Sequence, residues 1–392
     1  MARVEAGAAS SIVAPSIMVV AGEASGDLHG AALCRGLRRL APEVRIVGMG
    51  GSRMAAEGAE LIADVTRRAV VGGTEAVGRL PALWRAFRAL RARLLAERPA
   101  ALVLIDFPEF NLKLAGVARR AGVPVVYFIP PQLWAWRGGR IRTMRERVSL
   151  VLAVLPFEPA IYRRAGVPVE FVGHPLLDAL GDAPSRAGAR ARLGLDAGDL
   201  VVGILPGSRT EEVARMTPLM REAASAIAAR HPRARFLLGL APTVEAASVE
   251  RLLAGGPALR VVSGATHALI RAADLLLATS GTVTLEAALL GTPMVVCYRV
   301  SLLTQLMGHA LLRVPWIGLA NLVLGRGVVP ELFLRRDATG ARLAGEALRL
   351  LETPGALEAQ RRAFDELAGA LGEPGVGARA ARLVLAAAGV VA

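Results

Sequence analysis

Residues 17–30 read IMVVAGEASGDLHG, and the fold can be deduced from the order of patterns within them. An aliphatic run at 17–21 predicts a strand, glycines supply a tight turn, and the apolar spacing predicts a helix over 26–40. A strand, a glycine-rich turn and a helix N-terminus commonly bind phosphate. This loop, however, carries the carboxylates of Glu23 and Asp27 and no lysine or arginine, so its ligand has to be identified from the rest of the chain.

The alternation of strand and helix patterns continues along the chain. Further strands are predicted at 44–48, 101–105, 124–128, 150–154 and 169–172, and further helices at 81–97, 110–121 and 157–165. After a polar stretch at 182–199 the pattern restarts at residue 200, with later strands at 235–240, 259–262, 274–278 and 293–298. Such alternation predicts parallel sheets that are covered by helices on both faces.

The length of 392 residues and the restart of the pattern predict an α/β fold of two Rossmann-like domains with a ligand cleft between them. The first domain is expected at 1–175 and the second at 176–365, joined near 174–198. A C-terminal segment, 366–392, ends in a short apolar helix pattern at 376–388. That helix can dock on either domain, and a return of this C-terminal segment to the first domain is part of the predicted domain division.

Composition restricts the class of protein. Hydrophobic residues make up 54% of the chain but aromatic residues only 4%, so the cores must be built from aliphatic side chains. The net charge of +14 suits anionic partners such as phosphorylated substrates, a membrane face or nucleic acid. Cys34 and Cys297 each lie in an apolar run, which indicates buried free thiols and a reducing compartment. Neither a secretion signal nor a membrane-spanning stretch is evident, and we expect a cytosolic protein.

Familiar nucleotide motifs are excluded by the residues present. A P-loop needs a lysine after its glycines, and the only lysine, Lys113, follows no such loop. The opening loop has glycines at 22, 26 and 30 in place of GxGxxG, and the second strand ends without an acid, which disfavours a nicotinamide enzyme. CxxC, HExxH and DxD motifs do not occur, so the sequence predicts no metal site.

Two loops of the second domain are better phosphate candidates. In LPGSRTEEV, 205–213, Gly207 turns the chain, Ser208 can cap a helix, and Arg209 brings a fixed charge to its N-terminus. An ordinary capped helix is an equally good interpretation of this segment alone. In TSGTVTLE, 279–286, a turn again opens a helix, and Glu286 can accept both ribose hydroxyls or merely complement the helix dipole. Two such loops in one domain favour a nucleotide.

Eight segments in order extend this interpretation to a family. They read AGEASGD (21–27), IDFPEFN (105–111), PPQLWAWRGGR (130–140), LPFEPAIY (155–162), FVGHPLLD (171–178), LPGSR (205–209), TSGTVTLE (279–286) and GLANLVLGRGVVPEL (318–332). Along nearly its whole length the chain resembles the lipid-A-disaccharide synthases, which are inverting glycosyltransferases of the GT-B fold. The resemblance implies transfer of 2,3-diacylglucosamine from its UDP derivative to 2,3-diacylglucosamine 1-phosphate. The implied products are UDP and the β-1,6-linked lipid A disaccharide 1-phosphate of lipopolysaccharide biosynthesis in Gram-negative bacteria.

The resemblance also implies roles for particular residues, without a cofactor or metal. The residues that it places around UDP are Gly207, Ser208, Arg209, Ser280, Gly281, Thr282, Glu286 and Asn321. Asp106, at the end of a first-domain strand, corresponds to the catalytic base, although a helix-capping role is the alternative. Glu109 stands where many relatives have aspartate. GLAN in place of SLPN, Gly327 in place of glutamate and Pro130 are departures that concern local loop shape.

The loop at 21–30 can now be assigned to the acceptor. Glu23 and Asp27 would repel a diphosphate, whereas Arg209 would attract one, so the nucleotide is expected on the second domain. Glu23 can accept hydrogen bonds from sugar hydroxyls or orient the nucleophile, and we count it with Asp106 as a catalytic candidate. Asp27 is more simply explained as a favourable charge in the first turn of the helix.

Both implied substrates carry acyl chains, which requires contact with an anionic membrane surface at the inner face of the inner membrane. The stretch 79–98 combines six arginines with an apolar stripe at Leu80, Leu83, Trp84, Phe87, Leu90 and Leu94. A stripe that faces the core is the simpler interpretation. The apolar stretch 301–319 is a second candidate. In the segment 130–140, Trp134, Trp136, Arg137 and Arg140 can stack a sugar or bind a lipid phosphate, or belong partly to the core.

Other functions remain open from the residues alone. Another UDP-sugar glycosyltransferase or a UDP-N-acetylglucosamine epimerase would share the second-domain loops. A nucleic-acid-binding protein fits the charge but not the dispersion of arginines among helices, and no nucleic-acid motif is present. A lipid-binding module without catalysis would not need Asp106 and Arg209. The chain is expected to act as a monomer or a homodimer.

Overall fold

The computed structural model describes residues 14–64, 76–132, 140–253, 255–299, 316–333 and 337–391. Within these ranges the strands form two parallel sheets, so the predicted α/β class is confirmed. The seven-stranded sheet has the order β3-β2-β1-β4-β5-β6-β7 and consists of β1 (Ser16–Ala21), β2 (Arg45–Gly50), β3 (Glu60–Asp64), β4 (Ala101–Ile105), β5 (Val125–Phe128), β6 (Leu150–Ala153) and β7 (Val169–Phe171). The six-stranded sheet has the order β10-β9-β8-β11-β12-β13 and consists of β8 (Val201–Leu205), β9 (Arg235–Leu240), β10 (Leu259–Ser263), β11 (Leu275–Ala278), β12 (Met294–Cys297) and β13 (Glu331–Leu332).

Helices connect successive strands in both sheets. Those before β8 are α1 (Ala24–Leu40), α2 (Ser52–Ala56), α3 (Ala76–Glu97), α4 (Pro108–Arg120), α5 (Arg140–Arg147), α6 (Glu158–Arg164), α7 (Leu176–Ala179) and α8 (Arg186–Arg192). Those after it are α9 (Thr210–Arg230), α10 (Ala246–Leu253), α11 (Thr266–Ala272), α12 (Thr282–Leu289), α13 (Leu319–Leu324), α14 (Gly340–Glu352), α15 (Ala356–Ala370) and α16 (Val376–Ala388).

The central strands are buried on both faces, as parallel strands between helical layers must be. In β1, Ile17 and Val19 belong to one core with Leu33 and Leu37 of α1 and Val384 of α16. The alternate residues Met18 and Val20 belong to a second core with Leu90 and Leu94 of α3 and Leu114 of α4. The sheet therefore lies between an α1/α16 layer and an α3/α4 layer, and its carboxyl edge stays available for a site.

The joining segment that follows the first sheet is bound to the second sheet by two arginines of α8. Arg190 of α8 is only 6% exposed. Its guanidinium donates to Asp274 Oδ2 at 2.9 Å and to the carbonyl oxygens of Ala272, Asp196, Ala197 and Asp199 at 2.8–3.1 Å. Arg186 binds the other oxygen of Asp274 at 2.5 Å. Through these bonds α8 is fixed to the second sheet.

The C-terminal helix α16 packs against α1 of the first sheet. The two helices approach closely at a pair of glycines, because a Cβ at Gly36 would lie 2.8 Å from the carbonyl oxygen of Gly377. A Cβ at Gly377 would lie 2.7 Å from the carbonyl oxygen of Ala32. Side chains larger than hydrogen at these positions would separate the helices.

The chain passes between the two sheets at 172–178 and returns at 371–379, and these two crossings are bound together. Arg379 donates to the carbonyl oxygen of Val172 from Nε at 3.0 Å and from Nη2 at 2.9 Å. In the reverse direction, Asp178 accepts from the backbone N–H groups of Gly375 at 2.5 Å and Gly377 at 3.3 Å. Each crossing therefore stabilises the other.

Candidate active site

The structure brings Asp106 and Glu23 together at the carboxyl edge of the first sheet. Strands β1 and β4 are neighbours with Ala21 opposite Ile105, so the residues that follow them leave the sheet side by side. Glu23 is the exposed N-cap residue of α1. Burial and, second, the charge of Glu23 raise the pKa of the half-buried Asp106 carboxyl group. A carboxylate with this environment is a stronger base than an exposed aspartate.

The backbone at Asp106 is strained. Asp106 and Phe107 have φ angles of 47° and 48°, in the left-handed region that residues with a side chain rarely occupy. Each such residue costs about 1–3 kcal/mol, and this kind of strain concentrates at functional sites. The Phe107 ring stacks on Phe110 with centroids 5.5 Å apart. It also lies over Gly22, where an added Cβ would be 2.2 Å from the ring. The first glycine of the opening loop is therefore needed to seat Phe107.

Asp27 lies in the first helical turn of α1 as predicted, but it has a further role that the sequence does not predict. Asp27 is buried, and its oxygens bind the start of another helix, α2. Oδ1 accepts from the N–H groups of Gly51 at 2.7 Å and Met54 at 3.1 Å, and Oδ2 accepts from Arg53 at 3.1 Å. Asp27 therefore joins the loop after β1 to the loop after β2, and its part in the site is structural.

The first predicted phosphate loop lies between β8 and α9. Gly207 has a φ of 120°, which favours glycine, and Arg209 is the N-cap residue, with its side chain 81% exposed. Ser208 does not cap the helix as predicted, because it precedes the N-cap residue, and its N–H group is instead bound by Glu212. Its carboxylate accepts from the Ser208 N–H at 3.3 Å and pairs with Arg209 Nη1 at 3.3 Å. A donor phosphate at this loop would compete with Glu212 for the same groups.

The second predicted phosphate loop lies beside the first, because β8 and β11 are neighbours with Leu205 opposite Ala278. Residues 279–281 turn the chain, and α12 begins at Thr282. Glu286 follows one turn later and is partly exposed, with Oε2 3.3 Å from His267 Nε2 of α11. Two helix N-termini, Arg209 and the carboxylates of Glu212 and Glu286 are thus gathered at one edge of the second sheet. The helix N-termini and the arginine suit a nucleoside diphosphate.

Asn321 lies next to this edge, but its side chain is fully occupied by the protein. Oδ1 accepts from the N–H groups of Val328 and Val329 at 2.8 and 2.9 Å. Nδ2 donates to the Val329 carbonyl oxygen at 2.8 Å and to Glu331 Oε1 at 2.6 Å. These four bonds use the whole capacity of an amide. In this conformation the Asn321 side chain shapes the loop before β13, and the predicted contact with the nucleotide stays a prediction.

The helix α3 divides the predicted membrane stripe into two parts. Leu90 and Leu94 are completely buried and belong to the sheet core, as the simpler interpretation has it. Trp84 is 60% exposed, and the Arg88 guanidinium lies 4.7 Å from the centre of its ring. The predictions for Trp134, Trp136, Arg137, most of 301–319 and the Leu80 side chain fall outside the described residues.

The described residues contain neither a metal-binding cluster nor a helix that could cross a membrane. No group of three histidine, cysteine, aspartate or glutamate side chains there could hold a metal ion. Among the helices of the same ranges, none has the length and apolarity to cross a membrane.

Comparison with known proteins decides the family. The model of a family described as lipid-A-disaccharide synthetase matches residues 17–369. The chain belongs to the lipid-A-disaccharide synthase family. The lipid-A-disaccharide synthase of Geobacter sulfurreducens is 44% identical over 370 residues, which cover 94% of this chain and 96% of that protein. That of Myxococcus xanthus is 40% identical and covers 95% of this chain and 97% of its own.

Solved structures agree with this family at the level of the fold. A UDP-GlcNAc 2-epimerase from Neisseria meningitidis, bound to UDP-GlcNAc, aligns with a TM-score of 0.65 at 13% identity over 95% of this chain and 98% of its own. CalG4, the calicheamicin glycosyltransferase, aligns with a TM-score of 0.58 at 18% identity over 96% and 99%. The architecture is that of the GT-B proteins, and this member of the lipid-A-disaccharide synthase family is a glycosyltransferase of lipid A biosynthesis.

Some residues of the site were not singled out from the sequence. Glu212 and His267 contact predicted UDP residues, and Asn111 and Tyr127 contact Asp106. Asn111 is the last letter of IDFPEFN, so the motif contains a signal for it. Tyr127 and His267 belong to other strands or helices, and only the tertiary structure brings them to the site.

Proposed function

We propose that the chain transfers 2,3-diacylglucosamine from UDP-2,3-diacylglucosamine to the 6-hydroxyl of 2,3-diacylglucosamine 1-phosphate. The products are UDP and the β-1,6-linked lipid A disaccharide 1-phosphate. The observation that carries the proposal is the family match over residues 17–369, which contain both the Asp106–Glu23 pair and the two phosphate loops.

The donor diphosphate binds at the carboxyl edge of the second sheet. Backbone N–H groups of Gly207, Ser208, Gly281 and Thr282 and the Ser280 hydroxyl approach the phosphates, and Arg209 supplies a fixed positive charge. Glu286 accepts the ribose hydroxyls, and its contact with His267 holds the carboxylate in place. Asn321 acts indirectly, by fixing the neighbouring loop.

Asp106 is the general base. It takes the proton of the acceptor 6-hydroxyl while the hydroxyl oxygen forms a bond to C1 of the donor sugar. The bond between C1 and the diphosphate oxygen breaks on the opposite face, so the configuration inverts and UDP leaves with the electron pair. The raised pKa of Asp106 suits a group that must accept a proton near neutral pH.

Glu23 and the glycine-rich loop contact the acceptor sugar. The exposed carboxylate of Glu23 accepts hydrogen bonds from sugar hydroxyls beside the base. In Glu23→Ala we expect a higher KM for the acceptor and an unchanged affinity for UDP. A loss of UDP affinity in this variant would place Glu23 on the donor side instead.

The exposed surface of α3 collects the acylated substrates from the anionic inner face of the inner membrane. Trp84 lies beside arginines at 85 and 88, an arrangement that suits the membrane interface. Sedimentation with anionic liposomes tests this role in Trp84→Glu. Phe87 is left unchanged, because it packs edge-on against Phe110. Undiminished sedimentation of the folded variant would assign the contact to another surface.

One experiment tests the reaction as a whole. The protein is incubated with both acylated sugars, and UDP release and the mass of the disaccharide 1-phosphate are followed. UDP-N-acetylglucosamine without acyl chains serves as the control donor. Turnover or epimerisation of this control, with no disaccharide from the acylated pair, would favour the other enzymes of this fold.

A further inference from the structure

Two buried side chains hold the backbone at Asp106. Asn111 Nδ2 donates to the carbonyl oxygen of Asp106 at 2.7 Å and to that of Ile105 at 3.2 Å. From the neighbouring strand β5, Tyr127 Oη donates to the same Asp106 carbonyl at 2.7 Å. Both side chains are completely buried, so no water competes for these bonds.

Stability alone does not account for an amide at position 111. Its Oδ1 is buried and has no hydrogen-bond partner in the described residues, which lowers the stability of the folded chain. Turning the amide over would place Oδ1 against two carbonyl oxygens, so the donors must face the backbone. A leucine of similar size would avoid the unpaired oxygen, but it would also lose both donated bonds.

The bonded carbonyl lies at the strained part of the chain. It belongs to the peptide between Asp106 and Phe107, the two consecutive residues with φ near +48°. Residues with side chains normally visit this region singly. Two strong donors on one carbonyl oppose rotation of this peptide, and thereby fix the direction in which the Asp106 side chain leaves the strand.

We infer that Asn111 and Tyr127 are positioning residues for the Asp106 base. They hold the carboxylate where it can receive the acceptor proton, and they contact neither substrate. Without them, residues 106 and 107 relax toward ordinary backbone angles and the carboxylate turns away from the acceptor hydroxyl. The inference rests on the proposed function, in which Asp106 is the base.

Tyr127→Phe tests the inference with the smallest change, since only the hydroxyl is lost. We expect kcat to fall about 10-fold or more, because small displacements of a catalytic group are costly. The KM of both substrates and the Kd of UDP should stay within about twofold. Asn111→Leu should lower kcat by about 100-fold while the thermal midpoint stays close to that of the parent.

Tyr162→Phe is the matched control. Tyr162 is also buried, and its hydroxyl donates to the Pro131 carbonyl oxygen at 3.2 Å instead of to Asp106. This variant loses the same kind of bond and should keep its kcat. An equal loss of kcat in Tyr162→Phe and Tyr127→Phe would mean a general structural effect and would overturn the inference.

Asp106→Asn separates the inference from the function on which it rests. If Asp106→Asn is inactive and Tyr127→Phe turns over within twofold of the parent, the positioning role is wrong and the base assignment stands. If Asp106→Asn keeps near-parental turnover, the base assignment is wrong and the inference fails with it. Loss of kcat in both, with KM unchanged in Tyr127→Phe, supports the inference.

Discussion

Exchange of Gly22 for alanine should disable catalysis without disturbing the nucleotide site. A Cβ at Gly22 would lie 2.2, 2.5 and 2.8 Å from three ring atoms of Phe107. Carbon atoms in contact are about 3.5–4.0 Å apart, so the ring must move by roughly 1.3–1.8 Å. Phe107 follows Asp106 directly, and both have left-handed backbone angles, so the displacement is transmitted to the proposed base.

The expected magnitudes follow from this displacement. A shift of about 1 Å in a catalytic group can cost about 100-fold in rate, and we expect at least that loss of kcat in Gly22→Ala. Overpacking of this kind also costs about 1–3 kcal/mol of stability. UDP affinity should not change, because the proposed nucleotide loops belong to the other sheet.

The assay combines UDP release, UDP binding by calorimetry and the thermal midpoint. Gly345→Ala is the matched control, since Gly345 is exposed within α14 and an added Cβ there meets no atom within 4 Å. Alanine in a helix interior should stabilise the control by about 0.5–1 kcal/mol and leave kcat unchanged. A kcat within about threefold of the parent in Gly22→Ala would refute the reasoning from the Phe107 contact.

Three further predictions concern charge. Asp106→Asn should abolish turnover yet raise the thermal midpoint near neutral pH, because burial and Glu23 raise the pKa of Asp106 and penalise its ionised form. This gain in thermal midpoint should disappear as pH falls below the ordinary aspartate pKa of about 4, because Asp106 is then protonated in both the folded and the unfolded chain. The activity of the parent enzyme should begin to fall at a pH above that value, because the base is protonated there. Glu212→Gln should tighten UDP binding about two- to fivefold, as measured by calorimetry, because it removes a partly exposed ion pair worth about 0.4–1 kcal/mol that competes for Arg209. Weaker UDP binding would instead show that Glu212 supports the loop. Arg190→Met should lower the free energy of unfolding by about 3–5 kcal/mol in denaturant titrations. Arg192 is exposed, and Arg192→Met should change this free energy by less than about 0.5 kcal/mol. Equal effects of the two substitutions would contradict the role of the buried bonds.

The sheets could largely be predicted from the sequence because their strands are buried on both faces. Continuous aliphatic runs such as 101–105 have few alternatives, and the structure places this strand at Ala101–Ile105. The predicted helix 376–388 is likewise found at Val376–Ala388. β3 and β13 were not predicted, because β3 is an edge strand that is only partly buried and β13 has two residues.

Side-chain partners could not be predicted, since they depend on distant parts of the chain. Asp27 binds residues 24 to 27 positions further along, and only the β1–β2 pairing brings them together. Asn321 of α13 forms four bonds with residues 328–331, and the path of the chain between them is not encoded in any short motif. The closeness of Glu23 and Asp106 follows from the adjacency of β1 and β4, which requires the strand order.

The return of α16 to α1 has a consequence for synthesis on the ribosome. The face of α1 around Ala32 and Gly36 is complete only when Gly377 and its neighbours arrive. The 335 residues between Leu40 and Val376 take roughly 17–67 s to translate at about 5–20 residues per second. During that interval the nascent first sheet lacks one of its covering helices, and its apolar surface is a natural substrate for a chaperone.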